Sequence, residues 1–407
     1  MTRLTVVEIK LALKEKGYTN MNDKSQKPKL SMYIHIPFCE RKCAYCDFLS
    51  FDYRDDKIDA YVEALCKQIK TYEYGGQWQV STIFFGGGTP SLLTPQQITD
   101  IFKAIRETIE VSKGAEISME CNPGTLTEEK IDVYRALGIN RISLGVQSID
   151  VDQLKQLGRI HNDKNVFEQY DLIREKGFTN INLDIMYGLP KQTLDEWEKQ
   201  LDVITALNPE HISAYGLIVE EGTPYERLYE KNPDIFPDEE LELAMNWLAH
   251  KRLTKAGYVH YEISNYAKPG YECKHNETYW RLIPYIGFGL GASSYMHNKR
   301  FDMIDDLEAY ISMANNTSDM VAVDSIVEST IQKRMEEYMF LGLRLLEGID
   351  EADFLYTFNC SLTSVYDDNL DYLIKESLIE RADAHIRLTP RGIDISNYVL
   401  SYFLLTT

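Results

Sequence analysis

The sequence predicts an α/β protein. It combines a partial (β/α)6 barrel of the TIM type with an α+β, winged-helix-like C-terminal domain. Two patterns predict the barrel. From residue 31 onward, six short apolar segments alternate with amphipathic helical segments, and such alternation is typical of parallel βα units. Several of the short segments also alternate strictly between polar and aliphatic residues, which is the period of a β-strand.

The spacing of the apolar residues predicts each strand and helix of the barrel. The strands are predicted at residues 32–37, 81–85, 116–122, 141–147, 180–187 and 211–217. The helices between them are predicted at residues 58–74, 95–109, 128–137, 165–176 and 194–207.

The alternation also predicts which face of the barrel strands is polar. In residues 141–147, 180–185 and 118–122, every second residue is polar or glycine and the others are mostly aliphatic. Parallel strands covered on both faces are normally apolar throughout. We therefore expect the aliphatic face to pack on the helices and the polar face to line an interior cavity. The same parity places Cys121 outward, as a small buried hydrophobe.

The chain is predicted to have four segments. They are an N-terminal extension (1–30) with a helix at 7–16, the barrel (31–225), a connecting region (226–320) and the C-terminal domain (321–407). Beyond the barrel we expect a helix at 237–255, a strand near 258–264 and a helix at 325–347. Residues 366–404 predict a helix, a hairpin and a second helix, which is a winged-helix order.

Composition restricts the classes of function. The 407 residues are 44% hydrophobic and 26% charged, as in ordinary globular proteins. The formal net charge of −20 disfavours binding to nucleic acid or to anionic lipid. No apolar run is long enough to span a bilayer and no secretory signal is apparent. We therefore expect a cytoplasmic protein.

Three cysteines dominate the functional prediction. Cys39, Cys43 and Cys46 follow the first strand on one loop. Iron–sulfur cubanes normally take four cysteine ligands, so three would leave one iron with an open position. A structural zinc site usually pairs two cysteine knuckles, and only one uneven trio is present here. A disulfide framework is disfavoured in a chain of this size without a signal peptide. The trio therefore favours an iron–sulfur cluster.

Further polar groups follow the other strands, at the barrel end where such proteins bind ligands. The glycine-rich loop 86–91 can expose backbone N–H groups. Glu120, Gln147, Arg159 and Asp184 lie at or after the ends of later strands. Taken singly, each could be a buried structural group. Because all are predicted to face one cavity beside the cysteines, they favour a ligand with nucleoside and amino-acid parts.

The cysteine trio, the glycine loop, Glu120 and the segments 144–148 and 184–190 resemble the radical S-adenosylmethionine (SAM) family of oxygen-independent coproporphyrinogen III oxidases. The resemblance extends from about residue 31 to the C-terminus. It implies a [4Fe–4S] cluster on Cys39, Cys43 and Cys46. It also implies contacts to SAM from Tyr33, Tyr45, Gly87, Gly88, Thr89, Glu120, Gln147, Arg159 and Asp184.

Two features separate the branches of this family. The oxidases carry a fourth cysteine two residues after the third, where this chain has Phe48. Residues 275–280 instead resemble the His-Asn-x-x-Tyr-Trp motif of the HemW branch, the haem chaperones. That resemblance implies haem binding by His275, Tyr279 and Trp280. Cys273, two residues before His275, is another candidate soft ligand. From residues 275–280 alone, a buried histidine that caps a turn beside two core aromatics is the favoured interpretation, and the resemblance reverses that preference.

The resemblance implies a haem chaperone that binds the cluster, SAM and haem and delivers haem to respiratory proteins. An electron donor of the flavodoxin or ferredoxin type, peripheral contact with a membrane and a homodimer belong to the same expectation. Coproporphyrinogen III oxidation (dehydrogenation) in porphyrin biosynthesis is the first alternative, and radical breakdown of haem is the second. The sequence leaves open whether the chain is an enzyme.

Overall fold

The computed structural model describes residues 27–52, 55–72, 75–316 and 322–405. The helix predicted at residues 7–16 lies outside this part of the chain. The domain divisions after residues 30, 225 and 320 stay predictions.

The described residues form 17 β-strands. They are β1 (Lys29–Ile36), β2 (Phe38–Cys39), β3 (Phe51–Asp52), β4 (Gln79–Gly87), β5 (Glu110–Cys121), β6 (Arg141–Gln147), β7 (Ile181–Tyr187), β8 (His211–Gly216), β9 (Val259–Glu262), β10 (Asn265–Ala267), β11 (Tyr285–Phe288), β12 (Ser293–Met296), β13 (Lys299–Met303), β14 (Val323–Glu328), β15 (Ile349–Asp350), β16 (Ile379–Ala382) and β17 (His385–Leu388).

The α-helices of the same residues separate most of these strands. They are α1 (Asp55–Lys70), α2 (Pro95–Thr108), α3 (Glu128–Leu137), α4 (Val151–Gln156), α5 (Asp163–Glu175), α6 (Leu194–Leu207), α7 (Pro224–Lys231), α8 (Glu239–Lys255), α9 (Lys274–Trp280), α10 (Leu307–Asn316), α11 (Ile331–Gly342), α12 (Glu351–Phe358), α13 (Leu362–Lys375), α14 (Pro390–Asp394) and α15 (Ser396–Ser401).

One large sheet of 12 strands organises the fold. Its centre is β1, β4, β5, β6, β7 and β8, which pair in parallel in that order and are the six predicted strands. On one side β11 pairs in parallel with β1, and the antiparallel strands β12, β13 and β14 follow it. On the other side the antiparallel strands β10 and β9 follow β8, so the order runs from β14 to β9 among the described strands. The predicted α/β class with a partial barrel is confirmed.

The alternation predicted for the strands determines where the core lies. Ile142, Leu144 and Val146 of β6 are buried in the main hydrophobic core. Ser143 and Gly145 of the same strand line an interior cavity instead. Successive side chains of a strand point to opposite faces, so the helices cover the aliphatic face and the polar face is left inside.

Local sequence signals fix where the helices begin and end. Thr94 and Gln97 form a capping box at α2, and Thr193 and Glu196 form another at α6. In each box the two side chains satisfy backbone N–H groups that have no partner within the helix. Helix α3 ends at Gly138, which adopts φ 91°, a left-handed conformation that glycine tolerates best.

Two elements differ from the sequence-based prediction. The helix predicted at 325–347 is wrong at its start, because β14 occupies Val323–Glu328 and α11 begins at Ile331. Pairing with β13 explains the difference, since the half-buried Ile326 lies opposite the buried Phe301 and tertiary pairing overrides helical periodicity. The glycine-rich segment near residue 286 forms β11, which pairs in parallel with β1 and extends the barrel by one strand.

The C-terminal region has its own core. Helices α12 to α15 pack around a three-stranded sheet in the order β15-β17-β16. Phe354, Leu370, Leu373 and Ile386 are among the fully or almost fully buried members of this core. The hairpin β16–β17 lies between two helical segments, which is the predicted winged-helix-like order.

Replacing Trp197 by Ala tests the packing of the helix layer. Trp197 is fully buried, and its Nε1 donates to the carbonyl of Met245 in α8 at 2.9 Å. Removing a buried indole leaves a cavity, so we expect the free energy of unfolding to fall by about 3–5 kcal/mol. Urea denaturation followed by circular dichroism measures the change. Lys199→Ala, at an exposed position of the same helix, is the control, and equal losses in both variants would refute the prediction.

Candidate cofactor-binding site

The three predicted cysteine ligands lie together at the mouth of the barrel. Cys39, Cys43 and Cys46 are half-buried and line one cavity of about 330 Å³. Backbone hydrogen bonds hold their loop in place: the N–H of Ala44 donates to the carbonyl of Leu157 at 3.0 Å. The loop is therefore anchored to the segment that follows α4.

The chemistry of the thiols is set by their burial. Burial raises the pKa of Cys39 and raises that of Cys46 to about 11, so these thiols are protonated at neutral pH in the ligand-free protein. Metal binding to them would release protons. Among the described residues, no three of His, Cys, Asp and Glu converge on one point as a mononuclear site requires. A cubane distributes its thiolates over different irons, and three thiols that line one cavity can supply them.

The glycine loop at the end of β4 packs closely against the cysteine loop. A Cβ on Gly88 would lie 3.0 Å from Cys39 Sγ and 2.7 Å from the carbonyl oxygen of Phe38. Gly87 adopts φ 111°, which residues with a side chain rarely adopt. The loop thus needs glycine at both positions for the backbone to approach the cysteine loop closely.

Two half-buried carboxyl groups, Glu120 on β5 and Asp184 on β7, also line the cavity. Burial and the neighbouring Asp184 raise the pKa of Glu120 to about 8. Glu120 Oε2 accepts a hydrogen bond from the backbone N–H of Gly87 at 3.2 Å. Burial also raises the pKa of Asp184, although Ser143 Oγ at 2.9 Å and Asn182 Nδ2 at 2.8 Å donate to its carboxyl oxygens. Both carboxyl groups are therefore shifted toward their protonated forms.

Arg159, which is half-buried, brings a positive charge to the same cavity. Its Nη1 donates to Asn122 Oδ1 and its Nη2 donates to the hydroxyl of Tyr45, each at 2.8 Å. Its Nε is buried and has no hydrogen-bond partner among the described residues. A buried donor without a partner is costly unless a ligand or water satisfies it, which fits a site for a carboxylate or another acceptor.

The structure brings most of the predicted SAM residues together. Eight of the nine line this upper cavity: Tyr45, Gly87, Gly88, Thr89, Glu120, Gln147, Arg159 and Asp184. Tyr33 lines a second, lower cavity instead, and its hydroxyl lies 3.0 Å from Nδ1 of His35. The prediction missed Asn122, Ser143 and Tyr215 as lining residues, although the strand parity that indicated Glu120 and Asp184 also applies to Asn122 and Ser143.

The predicted haem motif lies at the other end of the barrel interior. Helix α9 carries His275, which lines the lower cavity of about 180 Å³ together with Glu120 and Asp184. Nδ1 of His275 lies 2.8 Å from Thr82 Oγ1, early in β4. The glycine loop by contrast follows the end of β4, so the cysteines and His275 lie toward opposite ends of the parallel strands.

His275 is held closely in the ligand-free protein. It is 1% exposed, and its Nε2 lies 2.9 Å from the hydroxyl of Tyr279. Burial lowers its pKa to about 3, so the imidazole is neutral at physiological pH. The neighbouring Trp280 is half-buried, and the guanidinium of Arg344 lies 4.4 Å from the centre of its ring. Cys273 is buried, and its Sγ lies 3.8 Å from Glu116 Oε1.

Two family models match parts of this chain. Residues 33–204 match the radical SAM superfamily, and residues 330–395 match the HemN C-terminal domain. In structure, the chain is similar to coproporphyrinogen III oxidase (HemN) from Escherichia coli, a radical SAM enzyme, with a TM-score of 0.83. The match covers 98% of this chain and 94% of that one at 23% identity, so it establishes the fold. The fold and the three-cysteine loop define a radical SAM protein.

Curated relatives assign the chain more narrowly. It is 37% identical to the haem chaperone HemW of Bacillus subtilis, over 92% of this chain and 99% of that protein. It is 36% identical to HemW of Escherichia coli, over 93% of this chain and 98% of that protein. It is also 35% identical to HemW of Lactococcus lactis, over 93% of this chain and 98% of that protein. The chain belongs to the HemW family.

In the part of the chain that the structure describes, no helix combines the length and the apolar character needed to cross a membrane.

Replacing Glu120 by Gln tests the electrostatics of the cavity. The pKa of Glu120 is about 8 in the folded chain and near 4.3 in an unfolded one. Between these values the native state retains a proton that the unfolded state releases, so the stability of the native chain falls as the pH rises. The amide does not titrate. We therefore expect Glu120→Gln to gain stability relative to the unmodified protein from about pH 5 to pH 8.

Thermal unfolding of the ligand-free protein across this pH range measures the difference. Glu129→Gln, at an exposed position of α3, is the control. A difference between Glu120→Gln and the unmodified chain that does not vary with pH would contradict the prediction.

Proposed function

We propose that this protein is a haem chaperone that binds a [4Fe–4S] cluster, SAM and haem. The observation that carries the proposal is the similarity to HemW over more than nine tenths of the chain, together with the family's haem motif at His275. Phe48, where the oxidases have a fourth cysteine, also favours the chaperone over the oxidase. The proposed recipients are haem-requiring respiratory proteins.

In this proposal the upper cavity holds the two cofactors. Cys39, Cys43 and Cys46 would hold the cluster. The cluster and SAM together supply a carbon radical through reductive cleavage of a C–S bond. Around SAM, Glu120 would accept hydrogen bonds from the ribose hydroxyls, as acidic residues do in other nucleoside sites, and the buried Nε of Arg159 would donate to an acceptor. The other predicted contacts are Tyr33, Tyr45, Gly87, Gly88, Thr89, Gln147 and Asp184.

Haem would bind through the motif on α9. A neutral imidazole is the form that ligates iron, and burial keeps His275 neutral. Binding through Nε2 would replace its hydrogen bond to Tyr279. Tyr279 and Trp280 would then offer flat faces to the porphyrin.

The remaining partners complete the proposal. A reduced flavodoxin or ferredoxin would supply electrons to the cluster, and the chain would act in the cytoplasm, where its seven free cysteines remain reduced. Peripheral membrane contact and a homodimer stay predictions.

The cluster is tested with Cys43→Ser. Because a serine hydroxyl is a poor ligand for iron, we expect the variant to retain only a small fraction of the iron and acid-labile sulfide that the unmodified chain binds after anaerobic reconstitution. Cys66→Ser is the matched control, since Cys66 is a half-buried free thiol on α1 that does not line the cavity. Equal iron contents in the two variants would argue against the cysteine assignment.

The haem function is tested by titrating haem into the reconstituted protein with and without SAM, with product analysis after reduction. We expect stable binding, intact recovered haem and no vinyl product from added coproporphyrinogen III. His275→Ala should weaken binding at least about tenfold, the scale of one lost strong contact. Tyr279→Phe keeps the flat face but removes the competing hydroxyl, so it should bind haem at least as tightly as the unmodified chain.

His385→Ala, on the hairpin of the C-terminal domain, serves as the control for loss of a histidine. Conversion of coproporphyrinogen III without haem binding would make the chain an oxidase. Loss of haem absorbance that depends on SAM and reductant would favour haem breakdown.

A further inference from the structure

A third cavity separates the large sheet from the C-terminal domain. This interdomain groove has a volume of about 380 Å³ and is lined by residues at or just before the starts of β1, β4 and β11, by Tyr295 of β12 and by residues of α11 and α12. Trp78, Tyr338 and Phe358 contribute aromatic side chains to it. The groove thus offers flat apolar surface at the end of the sheet opposite the cysteine loop.

Positive charge is concentrated at the same groove. Lys29, Arg281 and Arg334 line it, and none of the described residues that line it is acidic, although the whole chain carries a formal charge of −20. The guanidinium of Arg334 lies 5.6 Å from the centre of the Phe358 ring. Three cations beside aromatic faces are complementary to a flat ligand that carries more than one negative charge.

The other two cations of the groove, Arg281 and Lys29, are both accessible to a ligand. Arg281 contacts Glu277 at 3.2 Å and Glu347 at 2.6 Å, and its side chain is 42% exposed. Exposed ion pairs of this kind contribute little stability, so a carboxylate ligand can compete for Arg281 at small cost. Lys29 is exposed at the start of β1.

The haem motif connects this groove to the barrel interior. Helix α9 places His275 in the lower cavity, and Arg281, which caps the C-terminal end of α9, lines the groove. Leu282 follows with φ 51° and turns the chain toward β11, so residues 281–284 all line the groove. The short helix α9 therefore connects the lower cavity with the interdomain groove.

We propose that the interdomain groove binds the porphyrin of haem, with Arg281, Arg334 and Lys29 pairing with its propionates and the aromatic residues packing on the ring. This inference rests on the proposed function and deepens it. It assigns the C-terminal domain a direct contact with the cargo. It also accounts for recognition of the porphyrin while His275 is still buried, because the carboxylate contacts do not need the iron.

The experiment measures binding of three probes to the reconstituted full-length protein: haem, metal-free protoporphyrin IX and haem dimethyl ester, which lacks free carboxylates. The test variants are the double substitution Arg281→Gln with Arg334→Gln, and Thr357→Trp. Thr357 is exposed and lines the groove, so a tryptophan there would fill the groove from its rim without disturbing the core. Lys375→Gln and Ala352→Trp, at exposed positions of the same domain, are matched controls.

We expect the double variant and Thr357→Trp to bind haem and protoporphyrin IX about tenfold or more weakly, the loss expected for charge-assisted contacts. The controls should bind as the unmodified chain does, and the ester should bind weakly to all of them. His275→Ala should weaken haem binding but leave protoporphyrin IX binding unchanged. Circular dichroism establishes that each variant is folded.

The outcomes separate the two proposals. If the unmodified chain binds haem, but the groove variants and the ester bind as tightly as their references, the groove is not the porphyrin site and the chaperone function stands. If the unmodified chain binds neither haem nor protoporphyrin IX, both proposals fail.

Discussion

The whole site depends on one constraint, the burial of ionisable side chains inside the sheet. Burial raises the pKa of Glu120 and Asp184 and lowers the pKa of His211 and His275, so all four groups are driven toward their neutral forms. Neighbouring polar side chains on adjacent strands stabilise them: Asn182 Oδ1, for example, lies 2.6 Å from Nδ1 of His211. The polar interior is thus a connected network rather than a set of separate charges.

That network links the two ends of the barrel interior. The upper and lower cavities share Glu120, Ser143, Asp184 and Tyr215 among their lining residues. A cationic ligand in the upper cavity, such as the sulfonium group of the proposed SAM, would favour the ionised form of Glu120 and lower its pKa. Occupation of one cavity therefore changes the electrostatic environment of the other without any movement of the backbone.

Much of this arrangement could be predicted from local sequence. Period-two alternation indicated the inward position of Glu120 and Asp184, and the spacing of the cysteines indicated their common loop. The position of Tyr33 was harder to predict from the sequence, since only the register of β1 against β4 places its side chain below the glycine loop. Strand β14 depends on pairing with β13. The interdomain groove is assembled from segments far apart in the chain. The local spacing of polar and apolar residues does not predict contacts between such distant segments.

The close packing of His275 has a consequence for selectivity among metals. Free zinc or copper ions bind readily to accessible neutral imidazoles, but both nitrogens of His275 already have protein partners within 2.9 Å. A bare ion would gain a coordinate bond at Nε2 but no packing contacts to add to it. An iron carried in a large flat ring would bring the packing energy of that ring as well. The motif would therefore favour iron that arrives in a porphyrin over loose metal ions.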